Sequence, residues 1–160
     1  MIFYEVIRLG NNNNTNYTAV KDTANQLLST SRFHMTKEFI QHGNITVYSH
    51  CYSVAVMSIK ISNVLGIKVD KAALVRGALL HDYFLYDWHD RHNGHPLHGF
   101  SHPQTAYENA ARDFDLSDLE KDIITHHMFP LTPHPPVSKE AWLVCMADKL
   151  CACAETIQRF

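Results

Sequence analysis

The chain reads as an all-α fold, and three observations carry that reading. Apolar residues recur every three or four positions in one segment after another, the pattern of helices with a buried face. No useful length of chain alternates apolar and polar residues as a half-buried strand would. Gly43, Gly66, the Gly- and Pro-containing stretch 94–99 and the prolines of 130–136 punctuate these segments as stops. With 160 residues and a hydrophobic content of 46%, the chain fits one compact domain with a substantial core.

Residues 1–17 form a poorly specified lead-in. Its polar run, Asn11 to Asn14, has no apolar periodicity and reads as a turn or a disordered segment. The domain proper spans 18–160. Val20, Ala24, Leu27 and Leu28 mark a helix over 18–31, and a short helix over 36–41, carrying Phe39 and Ile40, stops at Gly43. Val54, Met57, Ile61 and Val64 predict a long helix over 47–65 that ends at Gly66. Asp70 is placed to cap the next helix, 71–84, whose buried face carries Ala73, Leu74, Gly77, Ala78 and His81.

Residues 85–101 change character. Gly94, Pro96 and Gly99 break regular structure, and three aromatics and four histidines mark a functional loop. Ser101 is then expected to cap a helix with Pro103 in its first turn and Ala106, Ala110 and Phe114 on its apolar side. Ile123 and Ile124 lie inside a helix over 116–128. Pro130, Pro133, Pro135 and Pro136 make a stiff, non-helical loop, and a long helix over 138–159 enters through Ser138. The total is six to seven helices.

Composition removes several classes of function. Net charge is −2 with both signs interspersed, so no basic block suggests nucleic acid and no acidic tail suggests an interaction arm. No run of 18 apolar residues predicts a membrane span, and the first residues do not form a signal peptide. The four cysteines, Cys51, Cys145, Cys151 and Cys153, contain no CxxC pair, so reduced, buried thiols are expected. A cytoplasmic location is the expectation, and a homo-oligomer is compatible with the composition. Histidine is the outlier, with 12 residues, of which seven fall between His81 and His126.

Several of these sit where ligands are useful. His50 lies in the first turns of a helix. The pair His81-Asp82 ends an apolar helix, where a carboxylate opposes the negative end of the helix dipole unless a cation compensates it. Asp148 is flanked by Val144, Cys145, Met146, Ala147 and Leu150, and a buried carboxylate is costly unless it is paired or holds a metal. An ion pair with Arg76 is the ordinary alternative. His102 stands at a helix start, where the dipole favours the neutral, ligating imidazole. His126 and His127 fall in a last helical turn, with His126 the better placed, although adjacent residues reach one ion only if that turn loosens. Imidazole with carboxylate suits Mn, Fe, Co, Ni or Zn.

Taken together, His50 in Tyr-Ser-His-Cys, His81-Asp82 in Ala-Leu-Leu-His-Asp and Asp148 in Met-Ala-Asp-Lys resemble the HD superfamily of metal-dependent phosphohydrolases. The resemblance covers about residues 36–158 and implies a compact helical bundle of the HD-domain type. His102 before Pro103, with His126-His127, is similar to the superfamily's two-metal branch. By that resemblance one ion takes His50, His81, Asp82 and Asp148. The other takes Asp82 as a bridge with His102, His126 and His127. Met-Phe-Pro follows the doubled histidine in place of the Gly-Tyr-Pro of the branch's cyclic-dinucleotide phosphodiesterases, which argues against that substrate.

The expected activity is hydrolysis of a phosphomonoester, phosphodiester or phosphoanhydride, nucleotide-like substrates favoured, by a metal-bridging hydroxide. Fe or Mn are the favoured ions, with Zn, Ni, Co or Mg as alternatives. Asp82 and Lys149 are the candidate catalytic residues. Arg76, Arg91 and Lys149 are candidates for binding phosphate, and Trp88, with Tyr86 and Phe129, for stacking a base. Two other readings fit the same residues: a di-iron oxidative enzyme on this scaffold, and a non-catalytic nucleotide-binding module.

Overall fold

The computed structural model describes residues 13–90 and 97–157, with side chains described from Tyr17 onward. Among these residues are six α-helices, a short 3-10 helix and one two-stranded hairpin, as the all-α reading requires. In order they are α1 (Asn13–Thr30), the 3-10 helix (Arg32–Lys37), β1 (Ile40–His42), β2 (Ile45–Thr46), α2 (Val47–Val64), α3 (Lys71–Leu80), α4 (His98–Asp113), α5 (Asp118–His126) and α6 (Lys139–Ile157). No helix among them is long and apolar enough to cross a membrane.

Helix α2 is the axis of the bundle and packs against α1, α3 and α6, while α5 sits against α3, α4 and α6. The shared core includes Val20, Ala24, Leu27 and Phe33 from the N-terminal side and Val54, Ala55 and Ile59 from α2. Leu74, Ala78 and Leu79 join from α3, Ile123 and Ile124 from α5, and Leu143, Val144 and Ala147 from α6. Gly77 lets α3 and α5 approach closely: a Cβ there would lie 2.6 Å from the Cδ1 of Ile123.

Polar caps fix the ends that matter for the site. Asp70 accepts the amide of Ala73 through Oδ1 and donates its own amide to the buried Glu140 of α6. Ser117 and Glu120 form a reciprocal capping box at the start of α5. Asp122 accepts the amides of Val137 and Ser138, tying α5 to the entry of α6, where the hydroxyl of Ser138 caps Ala141.

Four elements differ from the sequence reading. Residues 36–41 are not a helix: the 3-10 helix ends at Lys37, and Gly43, at φ +59°, turns the chain into an antiparallel hairpin closed by Val47 N–H to the Phe39 carbonyl. Helix α1 starts at Asn13, so part of the Asn run is helical. Helix α3 ends at Leu80, which leaves His81 and Asp82 in the turn that follows. Helix α4 starts at His98 rather than Ser101, because Leu97, at φ +68°, already turns its carbonyl to the amides of Phe100 and Ser101. Among the cysteines, Cys51, Cys145 and Cys151 are buried but Cys153 is exposed. Residues 1–12 of the lead-in lie outside the described residues, as do Arg91, His92 and His95 of the loop.

Candidate metal centre

Six of the seven sequence-derived ligand candidates meet at one point inside the bundle. His50 comes from α2, His81 and Asp82 from the turn after α3, His102 from α4, His127 from the end of α5 and Asp148 from α6. All six are buried, with exposures from 0% to 8%. Nitrogen and oxygen atoms of His50, His81 and Asp148 gather within metal-binding distance of one another, and so do those of Asp82, His102 and His127.

Asp82 joins the two groups. Its Oδ2 lies 3.3 Å from His81 Nε2 and 3.7 Å from His50 Nε2. Its Oδ1 lies 3.1 Å from His102 Nε2 and 3.4 Å from His127 Nε2. Asp148 Oδ1 completes the first group at 3.0 Å from His50 Nε2 and 3.7 Å from His81 Nε2. The carboxylate thus shows one oxygen to each group.

The hydrogen-bond partners of the imidazoles establish what these nitrogens are. His81, His102 and His127 each donate Nδ1–H to a carbonyl of the preceding turn: Ala78 at 2.7 Å, His98 at 2.9 Å and Ile124 at 2.8 Å. His50 donates Nδ1–H to the carboxylate of Glu155 at 2.9 Å. In a neutral imidazole the other nitrogen then carries a lone pair. Four Nε2 lone pairs and two carboxylates therefore converge, and His102 Nε2 faces His127 Nε2 at only 2.9 Å. Two acceptors in contact repel. Asp82 Oδ1 and His81 Nε2, both fully buried, have no hydrogen-bond partner among the described residues. The donor set lacks positive charge, and divalent transition ions fit it.

In the chain alone, protons supply that charge. Burial opposes protonation of His50, but hydrogen bonds to Asp148 and Glu155 outweigh it and raise its pKa to about 10. Burial also opposes protonation of His81, and the neighbouring Asp82 carboxylate carries it well above its ordinary value. Desolvation would raise both carboxyls, yet the imidazoles hold Asp82 and Asp148 well below the usual carboxylate range. His127 moves the other way: burial pushes it down against the pull of Asp82, which favours the neutral, ligating form.

A cavity of about 570 Å³ opens onto this cluster. Asp82, His102, His127 and Asp148 form its floor, and Gln41, His42, Trp88, Leu97, His98 and Lys149 are on its walls.

The remaining candidates fall in different places. His126 stands apart from the cluster, because consecutive helical side chains diverge by roughly 100°. It donates Nδ1–H to Asp122 at 2.6 Å instead, and the order of preference between the paired histidines is reversed. Arg76 is not on the cavity wall: it pairs with Glu120 at 3.1 Å and donates to the carbonyl of Asp115, and so does not pair with Asp148 either. Lys149 is on the wall, with Nζ donating to the carbonyl of His127 at 2.9 Å. Trp88 is on the wall too, but His98 stacks on its ring at 4.9 Å and 7° and His89 lies 3.8 Å away, which leaves little face for a base. Tyr86 donates or accepts at His98 Nδ1, and Phe129 packs on Trp142.

Two neighbours of the cluster escaped sequence reading. Gln41, on β1, donates Nε2–H to Asp82 Oδ2 at 2.7 Å, and no sequence signal marked a lone glutamine in a strand not expected. Glu155 carried a signal: it lies seven residues, two helical turns, after Asp148 and so shares its face of α6.

An all-α bundle around a buried His/Asp cluster defines the class. The family model of the HD domain matches residues 47–153, about two thirds of the chain, so the chain belongs to the HD domain family. Members of that family are mostly metal-dependent hydrolases that bind divalent metals. No curated protein and no solved structure matches the chain.

Proposed function

We propose that the protein is a metal-dependent phosphohydrolase with a two-ion centre, acting on a small phosphate ester or anhydride. The observation that carries this reading is the division of Asp82, with one oxygen toward His50, His81 and Asp148 and the other toward His102 and His127. One half-site would be His50, His81, Asp82 and Asp148, the other Asp82, His102 and His127. Bound ions of Fe or Mn character would supply Lewis acidity, activating water and neutralising charge on the phosphoryl group.

The chain's own residues prepare that chemistry. Three backbone carbonyls and Glu155 hold the imidazoles in the tautomer that presents Nε2 inward. Gln41 fixes the rotation of the Asp82 carboxylate. Lys149 places a cation on the cavity wall beside the cluster and serves the phosphoryl group there. Trp88 and His98 wall the substrate side together, Trp88 contributing an edge rather than a stacking face. A cavity of about 570 Å³ suits a small phosphorylated molecule, of nucleotide size or below.

The test is metal analysis of untagged protein with an anaerobic panel of phosphomonoesters, phosphodiesters and nucleotides in the presence of Mn²⁺ or Fe²⁺. Phosphate release by the wild type, lost together with bound metal in Asp82→Ala, is the expected result. Full metal content and activity in Asp82→Ala would refute the assignment, and substrate-dependent oxygen consumption without phosphate release would point to oxidative chemistry instead.

A further inference from the structure

Three of the four inward-facing histidines are oriented by their own helices. The acceptors for His81, His102 and His127 are carbonyls three or four residues earlier, neutral partners that come with the local fold. His50 is built differently. Its Nδ1–H crosses from α2 to α6 and ends on the carboxylate of Glu155 at 2.9 Å, a partner 105 residues away in sequence. Glu155 is itself largely covered, with 9% of its side chain exposed. The ring of His42 stands edge-on to His50 at 5.5 Å and closes the other side.

A carboxylate behind a ligating imidazole does three things that a carbonyl does not. It fixes the ring through a charge-assisted hydrogen bond, and it draws the Nδ1 proton outward, which makes Nε2 a stronger donor. It also adds negative charge to one side of the centre. The half-site of His50 and His81 has Asp148 and a share of Asp82 as direct donors with Glu155 behind them. Among the described residues, the half-site of His102 and His127 has only its share of Asp82. The two half-sites are therefore unequal in charge by construction.

We infer that Glu155 is a positioning residue that orients His50 and makes the half-site of His50, His81, Asp82 and Asp148 the tighter of the two. The inference rests on the two-ion reading given above. Because α6 carries both Asp148 and Glu155, one helix face supplies a direct ligand and the support of another two turns later. Glu155 touches neither substrate nor ion; its effect reaches the ion through His50.

The test is a Zn²⁺ titration of metal-free wild-type protein and of Glu155→Gln, followed by calorimetry. The wild type is expected to bind two ions in two resolved steps. In Glu155→Gln, which keeps size and hydrogen-bonding atoms but removes the charge, the first step weakens by about 10- to 100-fold while the second is unmoved. An unchanged first step, or a loss shared equally by both, overturns the role of Glu155. Two equivalent steps in the wild type overturn the inequality. Absence of Zn²⁺ binding by folded wild type overturns the two-ion reading itself, a failure distinct from the others. Should Glu155→Gln not fold, ¹⁵N–¹H correlation of Zn-loaded wild type decides the matter. A slowly exchanging, downfield Nδ1 proton on His50, further downfield than those of His81, His102 and His127, is expected; its absence overturns the proposal.

Discussion

At the scale of single residues, the adjacent pair His126-His127 shows how a helix divides labour between neighbours. His127 turns inward to within 3.4 Å of Asp82, while His126 turns outward to Asp122. The direction of each ring is set by its own hydrogen bond, so substitution separates the roles. His127→Ala is expected to drop the metal content of the purified protein from two ions to one. His126→Ala should keep both, since it removes only a partly exposed contact with Asp122. An ion lost in His126→Ala, measured by elemental analysis against protein concentration, would contradict this division. Read from the sequence, His126 is the better placed of the two; the order is reversed because the rotation of α5 depends on what it packs against. Asp148 was legible from its apolar flanks, while His50, His81, Asp82 and His102 were legible from their places at helix ends and from their order along the chain.

At the scale of elements, the centre depends on how closely α3 and α5 lie, because the turn after α3 and the end of α5 face each other across Asp82. Gly77 sets that distance. A side chain there would run into Ile123, which is fully buried and whose Cβ and Cγ2 would also lie at 3.1 Å. Gly77→Val is therefore expected to cost about 1–3 kcal/mol of stability through overpacking. It should also weaken the half-site of His102 and His127, which α5 helps to carry. Chemical denaturation monitored by circular dichroism reads the first effect, and a midpoint equal to that of wild type would show that the helices can part freely. The helices were legible because their apolar periodicity is long; the hairpin was not. Phe39 and Ile40 suit a helix as well as a strand, and only the left-handed Gly43 and the bond from Val47 to Phe39 select the strand pair. The start of α4 was missed for a similar reason: Leu97 adopts a left-handed conformation that nothing about a leucine announces.

At the scale of the whole molecule, the balance of charge at the centre couples stability to pH. In metal-free protein His50 binds its proton far more tightly when folded, with a pKa of about 10 against an ordinary 6.5. Its stabilising contribution is thus complete below about pH 6.5 and fades as pH rises toward 10. The depressed carboxyls of Asp82 and Asp148 act in the opposite sense, contributing above their ordinary range near 3.8 and losing that contribution in acid. Metal-free protein should therefore melt at a lower temperature at pH 9 than at pH 7. Metal loading must expel the proton on His50, so it should release acid into solution and tighten as pH rises. Loaded protein should not show the alkaline decline, because the ion has replaced the proton. Scanning calorimetry with and without a chelator measures both curves, and a metal-free melting temperature that holds steady from pH 7 to 9 would contradict the charge balance described here.

The six inward-facing side chains span positions 50 to 148 and come from five separate pieces of the fold. That dispersal governs timing. As the chain is synthesised, His50 and the His81-Asp82 pair emerge with no complete set of partners, and the half-site they belong to cannot close before α6 has been made and has docked. The half-site of Asp82, His102 and His127 has all its members earlier, yet it too needs α3, α4 and α5 assembled. Neither half-site has its donors together until its helices have packed: one needs α3, α4 and α5, and the one that includes Asp148 must wait for α6 as well.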